Sequence, residues 1–143
     1  MAYDTHQFLK MTSDELDELF SSVPAGDLPD GEGKGTPIIA AGTSVADEIA
    51  EFLNFFAWKG KVFDASKGLL KNEIGPFGMA AIVAKFYKGE SWFDGKECIV
   101  LDYSETSLVA GWIRDEIRMV QAGLYLGQVF GHRKRLFHFA LQF

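Results

Sequence analysis

The sequence predicts a mainly β protein, a small antiparallel β-barrel preceded by two short N-terminal helices. Three observations carry this. Glu97–Tyr103, Trp112–Val120, Leu124–Phe130 and Leu136–Phe143 follow one another with only short turns between them. Such a run is the signature of a meander that curls into a barrel. Residues within these segments sort by parity into apolar and mixed faces, as strands require. The chain also holds 13 Phe in 143 residues, a surplus that suits a dense core or a greasy cavity. Barrels of this size either fill their interior with side chains or hold one small ligand.

The elements follow in order. Residues 1–11 read as a loose tail, and 12–143 as one barrel domain. Thr12 fits an N-cap with Glu15 returning as a capping box. Leu16, Leu19 and Phe20 then mark the apolar stripe of a short acidic helix to Ser22. Pro24 and Gly26 close it, and a turn-rich stretch leads into a strand at Thr36–Ala41. Ser44 is a second N-cap, for a helix in which Ile49, Phe52, Leu53 and Phe56 recur through Trp58. Lys59–Asp64, Leu69–Ile74 and Met79–Lys88 open the sheet. The Phe93-Asp-Gly-Lys96 turn feeds the next strand, Asp-Gly being a strong hairpin signal.

Composition narrows the function. With 48% apolar and 24% charged residues, the chain is an ordinary globular domain. A net charge of −6 argues against nucleic-acid binding, which needs cations to neutralise phosphates. The basic run His132-Arg-Lys-Arg135 reads as a solvated hairpin. One cysteine, Cys98, permits no internal disulfide. No secretory signal and no apolar run long enough to span a bilayer is found, so a cytoplasmic protein with no membrane span is expected.

Gly31-Glu-Gly-Lys-Gly-Thr36 is followed by Pro37 and β-type residues, not by the helix a phosphate loop requires. No Gly-x-Ser-x-Gly elbow supports a serine hydrolase. The three histidines lack metal-ligand spacing, so no metal or other cofactor is expected. A lone His138 still leaves haem ligation as a minor reading.

The strand Trp112–Val120 carries four charges. Arg114, Glu116 and Arg118 share one face, and Ile113, Asp115, Ile117 and Met119 the other. If the apolar face is the core, the arginines and Glu116 lie outside on a solvated surface of little energetic weight. If the facing is reversed, Arg114 and Arg118 clamp a carboxylate in the cavity and Glu116 orients them. On the apolar face, burial would raise the pKa of Asp115 and suit it to proton transfer.

Trp58-Lys-Gly-Lys-Val-Phe-Asp64, Leu101-Asp-Tyr103, Ile113-Arg-Asp-Glu-Ile-Arg118 and Gly123-Leu-Tyr-Leu-Gly127 together resemble the GXWXG-type small bacterial proteins. The resemblance covers roughly residues 12–143 in order of elements. It implies a lipocalin-like, or calycin-like, barrel, and it carries no catalytic residues.

The favoured reading is a barrel that binds a small hydrophobic molecule with a polar or anionic end. Arg114 and Arg118 would hold that end, while Trp58, Tyr103, Tyr125, Phe137, His138 and Phe139 would supply the remaining contacts. The alternative is an enzyme, a cyclase, isomerase or lyase, using Asp115 or Glu116 for the proton and an arginine for developing charge. A filled barrel that forms a homodimer through exposed sheet edges is also open.

Overall fold

The computed structural model describes residues 3–38, 60–74, 80–105 and 111–143. The predicted helix over 44–58, and with it Trp58, lies outside the described residues. Among the described residues, eight strands follow two short helices: α1 (Thr5–Lys10), α2 (Ser13–Ser22), β1 (Gly31–Ile38), β2 (Gly60–Asp64), β3 (Leu69–Ile74), β4 (Ala80–Glu90), β5 (Glu97–Asp102), β6 (Ile113–Gln121), β7 (Leu124–Gly131) and β8 (Lys134–Gln142). Each strand pairs antiparallel with its sequence neighbour. β1 and β8 pair to close the barrel, in a register running from Lys34↔Gln142 to Ile38↔His138. Closure leaves the described sheet without a free edge, so the edge-pairing route to a homodimer is not offered.

Two apolar layers result from strand alternation. Inside the barrel, Phe63, Leu70, Phe86, Ile99, Leu101, Ile113, Ile117, Val129, Phe137, Phe139 and Leu141 form one buried cluster. Outside it, Cys98, Val100, Leu124, Leu126 and Ala140 make a second cluster with Phe8, Leu16, Leu19 and Phe20 of the helices. The helices therefore cover the outer face of the sheet.

The tail reading of 1–11 is corrected. Asp4 accepts from the Gln7 amide at 2.8 Å and Gln7 returns to the Asp4 amide at 3.0 Å, a capping box that starts α1. Phe8 is then fully buried against the sheet, which is what holds so short a helix in place. α2 begins with the predicted box, Thr12 and Glu15 bonding reciprocally at 3.1 Å. Its apolar residues Leu16, Leu19 and Phe20 are all buried. β1 starts at Gly31, earlier than the sequence suggested. No described helix is long and apolar enough to cross a membrane.

β7 and β8 meet in a two-residue turn, His132-Arg133, with φ of 49° and 67°. Positive φ at both central positions is the I′ arrangement, which normally asks for Asn-Gly. A register shift between Val129 and Phe130 follows, with Val129 opposite Phe137 and Phe130 opposite Arg135. The extra residue, Leu136, packs against the interior cluster even though its parity matches outward-facing His138.

Candidate functional site

Among the described residues, a group of polar side chains lies within the apolar interior. Lys61 of β2 and Asp115 of β6 face each other across the barrel, 2% and 0% exposed, with Nζ and Oδ2 3.6 Å apart. Tyr103, just past β5, lies between them. Lys61 Nζ donates to the Tyr103 hydroxyl at 3.1 Å, and that hydroxyl donates to Asp115 Oδ2 at 3.4 Å. Alternation puts each there: Lys61 shares a face with Phe63, and Asp115 sits between Ile113 and Ile117. Oδ1 of Asp115 is buried with no hydrogen-bond partner.

Burial governs the electrostatics. It pushes the Asp115 carboxyl up to about 6, with the Lys61 charge pulling the other way. It also lowers the Lys61 ammonium, against the attraction of Asp115. Both shifts favour the uncharged forms, as expected for charges removed from water. The arrangement gives a carboxyl with one oxygen anchored by Lys61 and Tyr103 and the other able to accept a hydrogen bond or a proton.

The arginine clamp is corrected. Arg114, Glu116 and Arg118 point away from the interior, but not into solvent, because the 91–96 turn and the end of α2 fold over them. Arg118 is 1% exposed. It binds Asp94 through two nitrogens at 2.6 and 2.7 Å and donates to the carbonyls of Phe20, Glu97 and Lys96. Its cationic plane also lies 4.3 Å from the Phe20 ring centroid. Arg118 thus fastens α2 and the turn to the barrel, with no nitrogen directed inward. Arg114 binds Glu116 at 3.0 and 3.1 Å and the Glu90 carbonyl at 2.6 Å.

Glu116 is fully buried and saturated. Besides Arg114 it accepts from Ser91 Oγ at 2.6 Å, the Trp92 amide at 2.7 Å and Gln128 Nε2 at 3.0 Å. With every lone-pair direction used, it is a structural carboxylate rather than an acid–base group.

His138 is also on the outer face. It meets Asp17 of α2 at 2.8 Å through Nε2, and Asp17 pairs in addition with Arg135. Burial lowers the His138 pKa. Its Nε2 is committed beneath a helix, which corrects both the haem reading and its assignment to the ligand wall. Tyr125, Phe137 and Phe139 do face the interior, as does Tyr103. The Tyr125 hydroxyl donates to the Asp27 carbonyl at 2.7 Å, and burial pushes it up to about 12. The basic hairpin is not merely solvated: His132 stacks on Trp112 with centroids 5.0 Å apart, and Arg133 lies over Trp92.

Lys61 is the residue that sequence reasoning missed. Its signal was the alternation Lys61-Val-Phe63 within a strand whose inward face holds Phe63.

No family model matches the chain, and no curated protein matches it. Among solved structures, the crystal structure of a protein from Thermomonospora curvata is similar, with a TM-score of 0.64 and 14% identity. The match covers 92% of this chain and 87% of that one. At that identity the likeness shows the fold alone: a mainly β chain whose strands close into a barrel beside two short helices. Such a barrel is consistent with small-molecule binding.

Proposed function

We propose that the protein binds a small, largely apolar molecule by its polar end at Asp115, Lys61 and Tyr103 inside the barrel. One observation carries this reading: Asp115 Oδ1 is fully buried without a donor. Such an atom forfeits its hydration unless a water or a ligand supplies a hydrogen bond. The favoured ligand therefore ends in a group that donates, such as a hydroxyl or a protonated acid, and the Phe137 and Phe139 wall meets its apolar body. This replaces the arginine-held anion with a polar end read by a carboxyl and an amine. Membership of the GXWXG-type proteins remains part of the proposal, resting on the strand motifs quoted above.

The test is native mass spectrometry of the protein incubated with 1-decanol and, separately, with decane. The alcohol should give a retained adduct that Asp115→Leu weakens at least about tenfold, the scale of one lost charge-assisted hydrogen bond. Equal retention of alcohol and alkane, or an adduct indifferent to Asp115→Leu, would remove the reading.

A second reading is favoured by the raised pKa of Asp115. A carboxyl poised near 6 is suited to taking and returning a proton. The barrel would then be an isomerase, cyclase or lyase of a hydrophobic substrate, with Lys61 rather than an arginine facing developing negative charge. Asp115→Asn separates the two readings. Turnover should fall about 100-fold or more with binding retained if the carboxyl carries the proton.

A further inference from the structure

One end of the barrel carries a second feature that the interior site does not use. A cleft of ≈ 250 Å³ lies at the end of β6, walled by Trp92, Trp112, Arg114, His132 and Arg133. In a chain of net charge −6, two guanidinium groups and two indoles converge there. Arg114 and Arg133 lie 4.3 and 4.6 Å from the Trp92 ring centroid. Arg114 is neutralised by Glu116. Arg133 is exposed and has no carboxylate partner among the described residues. Asp102 also lines the cleft, but its oxygens are taken by the Ser104 amide and hydroxyl at 2.9 and 2.6 Å and by the Tyr87 hydroxyl at 2.7 Å.

The turn that delivers these groups is strained. His132 and Arg133 both occupy the left-handed region, where a side chain crowds the backbone and Asn-Gly would sit at ease. The strained pair places one imidazole on Trp112 and one unpaired guanidinium over Trp92, a placement that Asn-Gly would forgo. Conformational strain held at a cluster of side chains is a pointer to a role for those side chains.

We propose that this cleft is a binding site for a small aromatic carboxylate. Arg133 takes the carboxylate, whose two oxygens match the guanidinium fork. The indoles of Trp92 and Trp112 supply an apolar wall for the ring, and the volume suits one or two fused rings. The cleft shares no lining residue with the Lys61, Tyr103 and Asp115 group, and its binding stands or falls independently of that group.

The test uses 2-naphthoate, with 2-naphthalenemethanol as its neutral counterpart, in calorimetric titrations of the full chain. Naphthoate should bind saturably and shift the indole Nε1–H NMR signals of Trp92 and Trp112. The alcohol should bind at least about tenfold more weakly, and Arg133→Gln should cost a similar factor. The double variant His132→Asn/Arg133→Gly relieves the turn, so it should melt at a higher temperature than the parent while losing naphthoate binding. Equal affinity for the alcohol, undiminished binding by the double variant, or shifts confined to the interior residues Tyr125 and Phe139 would each overturn the proposal.

Discussion

Asp115 shares the inward face of β6 with Ile113 and Ile117, and its surroundings set a pH dependence. Its folded pKa, about 6, exceeds the ordinary carboxyl value near 3.9. The folded chain therefore holds a proton that the unfolded chain releases between those values. This contribution is fully present below about pH 4 and is lost as pH rises through about 6, worth roughly 2–3 kcal/mol. Urea denaturation at pH 4, 5 and 6 should show this slope in the parent and not in Asp115→Asn. His138 acts in the opposite sense. Its pKa is lowered by burial, so its contribution is present above about 6.5 and lost as pH falls through the folded value. His138→Gln should flatten the decline in stability below that pH. Arg118→Met should destabilise by about 3–5 kcal/mol in the same assay, because it removes the cation paired with Asp94 and the guanidinium bonds to three carbonyls. Which face of β6 turns inward was open in the sequence, but the parity that groups Asp115 with Ile113 and Ile117 was legible. The burial of Arg118 was not, because it depends on the 91–96 turn folding back over the outer face. Alternation assigns a side of the sheet, but it does not say what covers that side.

At the scale of elements, the strands were legible because turn residues and period-two alternation are local signals. β3 spans the predicted residues, and β4 through β8 differ from expectation only at their ends. α1 escaped notice because its six residues hold one buried side chain, Phe8, too few for periodicity to register. The bulge at Leu136 escaped for a related reason. An inserted residue reverses facing with no mark in composition. β7 carries a packing device that pairing explains. Gly127 lies opposite Phe139, and a Cβ added there would stand 2.3 Å from the Phe139 ring. Gly127→Ala should cost about 1–3 kcal/mol by overpacking, read as a lower urea midpoint with an unchanged slope. Thr12→Ala, which removes one capping box, should cost only about 1 kcal/mol.

For the whole molecule, the meander was written in the succession of strands, but its closure was not. β1 is glycine-rich and carries Pro37, with little hydrophobic pattern to name a partner. Likewise, nothing local announces that Lys61 lies across the barrel from Asp115, since strands four places apart in order meet only once the sheet has curled. The candidate site was therefore half legible: Asp115 and Tyr103 came from their own strands, and Lys61 needed the closed shape. Closure also has a consequence for how the chain is made. β1 emerges early in synthesis and pairs with β2 on one side only, while its other side waits for β8. Until β8 leaves the ribosome, the nascent sheet presents an open strand flank and an uncovered aromatic interior. The final step joins distant parts of the chain and is intrinsically slow, on the order of milliseconds to seconds. During that interval chaperone capture competes with completion of the barrel.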